Sequence, residues 1–254
     1  MLGTRGALVA VVVLAVDRSV HRAVVGFVDE VAGVVVAVGG REGSVMFTKP
    51  GSPNPEKRRC GTLPGMHAPR QHFTFDEYVM LEETARVKHE YLAGQVWAMS
   101  GGSPAHARVA VNISALLTNA LSGKPCSAFS SDLRVRATKT TLGTYPDVTV
   151  VCGKLELDPE DRRQHTVTNP RVVVEVLSPS TEGYDRGEKL EHYKTIPSLA
   201  EVVLVAHDRR EIEVVRRETD GSWSRHISGD GSAARLESLD LELRVADVYR
   251  DPLG

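Results

Sequence analysis

The sequence predicts a mixed α/β (α+β) domain in which helices flank a central mixed sheet, and three observations support this fold class. Signals for helix starts recur along the chain, short runs rich in β-branched residues lie between them, and Gly and Pro separate these segments without any repeat. The composition, 41% hydrophobic and 25% charged over 254 residues, is that of a soluble globular chain with enough apolar residues for a core. A disordered or collagen-like chain is therefore excluded.

Two of the predicted helices begin at capping boxes. Thr74 with Glu77 opens a helix that continues to about Thr84, and Asp185 with Glu188 opens another. In each box the first side chain accepts a hydrogen bond from a free backbone N–H of the first turn, while the Glu binds back to the capping residue.

The longest predicted helix begins at Ser103–Pro104, an N-cap followed by proline at the first helical position, and ends near Gly123. Its apolar residues recur at helical spacing, which indicates one buried face. They are Val109, Ile113, Leu116 and Ala120.

The strands are predicted from β-branched content and alternation. The strongest run is Arg171–Leu177, and a hairpin is expected within Lys88–Ser100, turning at Ala93–Gly94. The other predicted strands are Ala128–Ala137, Asp147–Val151, Glu201–Ala206, Glu211–Arg217 and Leu241–Val245.

Residues 1–65 differ in composition from the rest of the chain. Ala7–Val16 is apolar, but at ten residues it is too short to span a membrane, and no A-x-A cleavage site of a signal peptide follows it. Thr48–Arg70 is rich in Pro, Gly and basic residues, as linkers are. We therefore expect residues 1–65 to be a poorly ordered extension or an artefact of an upstream start, with Met66 as the natural start, and residues 66–254 to form the domain.

Charge and cysteine content constrain the partners and the compartment. Residues 1–65 carry a net charge of +3 and the remainder −5, so the field of the larger part does not attract a polyanion, and any nucleic-acid contact requires a local basic strip. The three cysteines, Cys60, Cys126 and Cys152, are widely spaced without a CxxC pair. This spacing favours reduced cysteines and a cytoplasmic location.

Glu175 is the residue that first indicates a functional site. It lies inside Arg171–Leu177, among apolar side chains that suggest a strand covered on both faces. An unpaired carboxylate buried there costs several kcal/mol or loses its charge. Either an internal salt bridge to Arg or Lys, or a metal ion, would supply the missing positive charge.

Asp147 is a second acid that favours the metal alternative. It stands at the entry of the preceding β-branched run, after Pro146. If the two strands pair, Asp147 and Glu175 lie side by side, and two neighbouring anions require a shared proton or a divalent cation. Ligation by oxygen atoms suits Mg²⁺ or Mn²⁺.

A set of short motifs extends this pattern from about Phe73 to the C-terminus. Besides Pro146–Asp147 and Glu175–Leu177, the segments are Phe75–Tyr78, His89–Val96, Ser131–Val135, Ser178–Thr181, Asp185–Tyr193 and Asp208–Arg210. Together they resemble the Uma2 family of restriction-endonuclease-like proteins, within the PD-(D/E)XK nuclease superfamily. Residues 1–65 lie outside the resemblance. The resemblance implies a restriction-endonuclease-like core.

The resemblance also implies roles for individual residues. Asp147 and Glu175 match the acidic pair that holds the metal, and Glu90 matches a third acid from the early hairpin, so the implied metal ligands are these three. The superfamily places a lysine two residues after the second acid, where this chain has Leu177. In this family the lysine comes from the following helix, and Lys189 stands there. The implied catalytic residues are therefore Asp147, Glu175 and Lys189. The alternative for Lys189 is a solvated residue that pairs with Asp185 one turn away.

The function implied is that of a Mg²⁺- or Mn²⁺-dependent endonuclease, a hydrolase of DNA phosphodiester bonds. The expected partner is DNA, without membrane association, and a homodimer is compatible with the family. The alternative, which the acidic net charge and Leu177 favour, is a catalytically inactive DNA- or protein-binding member of the same fold.

Other polar residues give weaker signals. His89 and His106 lack the paired spacing of a metal site, so we expect surface or helix-start histidines. Tyr193 is expected in the core or behind the site. Four arginines are either phosphate contacts or solvated charges. They are Arg134, Arg136, Arg209 and Arg210.

Overall fold

The computed structural model describes residues 72–253 and, before them, the backbone of four strands. The chain divides into two compact units, Met1–His72 and Phe73–Gly254. The strands of the first unit form the antiparallel pairs β1–β2 and β3–β4. They are β1 (Val11–Asp17), β2 (Arg22–Phe27), β3 (Val35–Val38) and β4 (Val45–Thr48). Most of residues 1–65 lies outside the described residues, so the expectation for this segment stays a prediction.

The second unit combines helices of 4 to 17 residues with many strands. The helices are α1 (Phe75–Thr84), α2 (Pro104–Ala120), α3 (Glu182–Arg186), α4 (Glu188–Lys194) and α5 (Val245–Val248), with a 3₁₀ turn at Glu237–Leu239. Within the described residues, none of the helices has both the length and the apolar composition needed to cross a bilayer.

The strands of the second unit form two larger sheets and one small one. In chain order they are β5 (His89–Leu92), β6 (Gln95–Ala98), β7 (Cys126–Ser130), β8 (Arg134–Ala137), β9 (Leu142–Thr144), β10 (Val148–Cys152), β11 (Thr166–Val167), β12 (Val172–Leu177), β13 (Glu201–Ala206), β14 (Glu211–Arg217), β15 (Trp223–Gly229), β16 (Ala233–Leu236) and β17 (Leu241–Arg244). The central sheet has the order β15-β14-β13-β12-β10-β7, and the second sheet the order β11-β8-β9-β5-β6. Since β12 is parallel to β13 and antiparallel to β10, the predicted mixed central sheet is confirmed.

Strand β12 lies inside the central sheet with both faces covered, as its sequence predicts. The face that carries Val174 and Val176 packs on α2, and the face that carries Val173 and Leu177 packs on α4. Glu175 belongs to the second face because successive side chains of a strand alternate. All six residues of β12 are buried, so Glu175 is enclosed by apolar side chains of the strand.

The predicted helix starts at Thr74 and Ser103 are confirmed, whereas the start predicted at Asp185 is wrong. Thr74 accepts from the backbone N–H of Glu77, and Ser103 accepts from that of His106. The box at Asp185 and Glu188 does not form, because α4 begins after Gly187 without any side-chain cap. Asp185 instead ends up inside α3, where its side chain turns toward the interior.

Two strand predictions need correction, and some strands were not predicted. The stretch Ala128–Ala137 divides into β7 and β8, which belong to different sheets, because a turn follows Ser130. The stretch Leu241–Val245 ends as a strand at Arg244, and Val245 begins α5. The polar alternation of β15, an edge strand, gave no prediction at all.

The expectation of reduced, unpaired cysteines is wrong for Cys126 and Cys152, which form a disulfide. The two residues face each other in the register of β7 and β10, with their Cα atoms 3.9 Å apart. A separation of 26 residues gives no sign of this pairing, because only the strand register brings the sulfur atoms together. The bond closes a loop that contains Asp147. The cytoplasmic location stays a prediction.

We expect reduction of this disulfide to lower the free energy of unfolding by about 3 kcal/mol, since the cross-link restricts the unfolded chain over a loop of intermediate length. Urea denaturation with and without dithiothreitol measures the change. The double variant Cys126→Ala/Cys152→Ala is the control and should not respond to the reductant. Equal stability of the oxidised and reduced wild-type protein would contradict the prediction.

Candidate functional site

The register of β10 and β12 brings the two predicted acids together. Val148 pairs with Val174 in the antiparallel ladder, and continuing the register by one residue places Asp147 opposite Glu175. Residues directly opposite each other in such a pair lie on the same face of the sheet. The backbone N–H of Val176 donates to Asp147 Oδ2 over 2.7 Å, which fixes the aspartate beside β12.

Lys189 lies at the centre of the site, so the solvated alternative for this residue is wrong. Its Nζ is 2.9 Å from Glu175 Oε1 and 2.9 Å from Glu90 Oε1. Asp185 Oδ1 lies 3.6 Å from the same nitrogen, so the expected pairing one turn apart on the chain is present, but it is buried. The side chain of Lys189 is only 4% exposed. We call Glu90, Asp147, Glu175 and Asp185 the acidic cluster.

Neighbouring hydroxyl groups fix the two acids that contact Lys189. The Tyr193 hydroxyl, one turn after Lys189 on α4, donates to Glu175 Oε1 over 2.5 Å. Thr144, at the end of β9, donates to Glu90 Oε1. Tyr193 is fully buried, so the expectation that it lies behind the site agrees with its position. Helix α4 thus supplies both the ammonium group and the hydroxyl group that hold Glu175.

His106 lies at the partly exposed side of the site, in the first turn of α2. Its Nε2 is 3.4 Å from Asp147 Oδ2, and both side chains are 18% exposed. Gly102 allows this placement, because a Cβ atom there would come within 2.5 Å of His106 Nδ1. The expectation of a mere helix-start histidine is therefore incomplete. Only the three-dimensional approach of α2 to β10 shows the pairing with Asp147.

A second buried network anchors the segments that carry Glu90 and Asp147. Glu82 of α1 accepts from the Tyr145 hydroxyl over 2.8 Å, and its other oxygen lies 2.7 Å from His89 Nδ1. His89 precedes Glu90 in β5, and Tyr145 lies two residues before Asp147. One carboxylate of α1 thus connects both segments, which come from distant parts of the chain.

Burial and charge shift the pKa values of the site in opposite directions. Burial raises the pKa of Glu175 to about 8, although Lys189 opposes the shift. Burial likewise raises the pKa of Asp185. Burial also acts to raise the pKa of Glu90, but Lys189 and Thr144 hold it below its ordinary value. For Glu175, unlike Glu90, the nearby positive charge does not offset the effect of burial on the pKa.

Lys189 and His106 have raised pKa values because acids surround them. Burial alone would lower the pKa of Lys189, but Glu175 and Glu90 raise it well above its ordinary value. The hydrogen bond that His106 donates to Asp147 is the main cause of the raised pKa of His106, against the effect of burial. Both groups therefore favour their protonated, positively charged forms.

The acidic cluster has the donor atoms that a divalent cation requires, although they are not arranged as a metal centre. With all four acids ionised, the acidic cluster carries more negative charge than Lys189 and a protonated His106 balance. Carboxylate oxygens are the donors that Mg²⁺ and Mn²⁺ prefer. Over the described range 72–253, however, no group of three or more His, Cys, Asp or Glu side chains forms a ready metal centre. The Lys189 ammonium lies between Glu90 and Glu175. The metal role of Glu90, Asp147 and Glu175 stays a prediction.

Two of the four arginines are buried and two are exposed, so the expectation of solvated charges is wrong for Arg134 and Arg136 and agrees with the positions of Arg209 and Arg210. Arg134 is buried and stacks over the rings of Tyr78 and Tyr145. The other three form ion pairs with neighbouring acids: Arg136 with Asp158 and Glu160, Arg209 with Glu182, Asp208 and Glu211, and Arg210 with Asp230.

Comparison with known proteins agrees with this geometry. The family model "Uma2: Putative restriction endonuclease" matches residues 75–246. An uncharacterised Synechocystis protein, slr1290, is 40% identical over 184 residues, which are 72% of this chain and 94% of the relative. A second one, sll1609, is 33% identical over 150 residues, 59% of this chain and 84% of the relative.

A solved structure shows the same fold. A crystal structure described as a "putative nuclease belonging to DUF820", from Anabaena variabilis, superposes with a TM-score of 0.57 at 17% identity and covers 70% of this chain and 97% of that one. This chain therefore shares the mixed α+β fold of that crystal structure, so the predicted fold class is confirmed. The chain belongs to the Uma2 family.

We expect the pH dependence of the free energy of unfolding to show that the pKa of Glu175 is raised in the folded protein. Without divalent ions, folded Glu175 keeps a proton up to about pH 8, whereas the unfolded chain releases it near the ordinary value of 4.5. The folded state then binds more protons, so stability falls as pH rises through this window. Glu175→Gln should remove on the order of a few kcal/mol of that fall.

Urea denaturation in EDTA at successive pH values measures this difference. The matched control is Glu191→Gln on exposed α4 surface, which should keep the wild-type pH profile. A Glu175→Gln profile that runs parallel to that of the wild type would show that Glu175 is ionised throughout.

Proposed function

We propose that this protein is an endonuclease that hydrolyses DNA phosphodiester bonds with Mg²⁺ or Mn²⁺. The observation that carries the proposal is the convergence of Asp147, Glu175 and Lys189 in one cluster that contains more acids than positive groups. Membership of a family described as restriction endonucleases supports the reaction class.

In this proposal Asp147 and Glu175 hold the cation through their carboxylate oxygens, and Glu90 approaches from β5. A bound Mg²⁺ ion supplies Lewis acidity toward a phosphoryl oxygen and lowers the pKa of its water ligand. The protein fixes the two principal acids beforehand, since the Val176 N–H holds Asp147 and the Tyr193 hydroxyl holds Glu175.

Lys189 and His106 supply the positive charge that a phosphodiester requires. The Lys189 ammonium offsets negative charge that develops on the phosphoryl group, an effect that is strong in a site with little water. His106 Nε2 donates toward Asp147 and keeps the carboxylate in place. Substrate access is expected on this side, because residues 101–104 next to His106 are exposed.

DNA is the proposed substrate, and a homodimer stays a prediction. Because the arginines named above are buried or paired, the positive charge that faces DNA is expected to come from the site itself and from the cation.

A catalytically inactive binding protein is the second candidate. The buried ion pairs of Lys189 with Glu90 and Glu175 favour it, because these pairs satisfy both acids without any metal. Leu177, at the superfamily's usual lysine position, points in the same direction.

We expect purified protein to cleave DNA in the presence of Mg²⁺ or Mn²⁺ and not in EDTA. Asp147→Asn and Glu175→Gln should each reduce the rate by about 100-fold or more, since each removes charge from the cation site. Gel assays with supercoiled, linear duplex and single-stranded DNA provide the measurement, and Glu191→Gln is the active control.

Two results would contradict the proposal. One is cleavage that persists in both Asp147→Asn and Glu175→Gln, which would point to a contaminating nuclease. The other is absence of cleavage on every substrate together with metal-independent DNA binding, which would favour the inactive binding protein.

A further inference from the structure

We propose that Lys189 is the built-in counter-cation of the acidic cluster and that a divalent ion binds in competition with its ammonium group. The proposal rests on the proposed function of the cluster as a cation site. It concerns how the site is loaded, and it assigns Lys189 a role before any substrate arrives.

The position of the ammonium group is the first argument. Lys189 Nζ lies within 2.9 Å of Glu175 and of Glu90, and 3.6 Å from Asp185. An ammonium group has three donors, and three carboxylates surround this one. The nitrogen thus occupies the space between acids that come from β5, β12 and α3.

The atoms that Lys189 contacts are the second argument. Glu175 Oε1 accepts from both Lys189 and Tyr193, and Glu90 Oε1 accepts from both Lys189 and Thr144. A cation that binds these oxygens must replace the ammonium as their partner. A cation that binds only the remaining oxygens lies close to the ammonium and is repelled by it.

The charge balance is the third argument. The cluster holds four acids against the ammonium of Lys189 and the imidazole of His106, so it still attracts a divalent ion, but more weakly than it would without the lysine. A substrate phosphate adds negative charge and offers Lys189 another partner. We therefore expect the free protein to bind a divalent ion weakly, and the ion and a phosphodiester to strengthen each other's binding.

Isothermal titration calorimetry with Mn²⁺, on full-length protein without DNA, tests the proposal. Lys189→Met removes the competing charge and keeps an apolar stem, so Mn²⁺ should bind about tenfold or more tightly than to the wild type. The same variant should lose DNA cleavage. A purely structural lysine would not produce tighter metal binding together with lost activity.

Lys194→Met is the matched control, since Lys194 lies on the same helix but pairs at the surface with Glu191. Its affinity for Mn²⁺ should equal that of the wild type. Should Lys189→Met not fold in EDTA, Lys189→Gln provides a second neutral variant, and folding of either one on addition of Mn²⁺ supports the proposal. Failure of both to fold at saturating Mn²⁺ overturns it.

The outcomes separate this proposal from the proposed function. If the wild type binds Mn²⁺ in a manner that Asp147→Asn abolishes, but Lys189→Met binds no more tightly, competition is refuted and the metal site remains. If neither the wild type nor Lys189→Met binds Mn²⁺, the proposed cation site and the competition both fail.

Discussion

The burial of Glu175 beside a single ammonium group is the constraint on which the site depends. The carboxylate lies in a strand whose other residues form two apolar cores, so water does not stabilise its charge. Lys189 and Tyr193 from α4 partly replace water as partners. The arrangement is stable only if α4 packs on that face of β12, and the side chains Leu190 and Tyr193 provide this packing.

The same constraint explains why distant segments meet at one point. Asp147 is placed by the register of β10 with β12, Glu90 by β5 of the second sheet, and Asp185 by α3. The Glu82 network links two of these segments from behind. A fold that merely buried apolar surface would not require four acids in one place, and the proposed cation site accounts for them.

The sequence predicts the central sheet and two of the acids for simple physical reasons. Glu175 stands out because every neighbour in its strand is apolar, and Asp147 because it begins the strand before it. Lys189 was found only through the resemblance, since the sequence alone is equally consistent with a solvated helix residue. The contact of His106 with Asp147 was not predicted because the two residues lie 41 positions apart, in different parts of the fold.

Two errors have informative causes. Asp185 and Glu188 have the spacing of a capping box, but Asp185 faces Lys189 instead, so the contact within the site replaces the cap. The disulfide between Cys126 and Cys152 depends on strand register, which no spacing rule contains. In both cases tertiary contacts override a local pattern.

The central claim is that the acidic cluster lacks positive charge and takes it from a divalent ion. Anomalous diffraction from crystals grown at saturating Mn²⁺ tests this claim most directly. The account predicts one strong peak within coordination distance of Asp147 and Glu175, with Lys189 moved away from Glu175. Well-ordered crystals with no peak there, and with the Lys189–Glu175 ion pair intact, would contradict it.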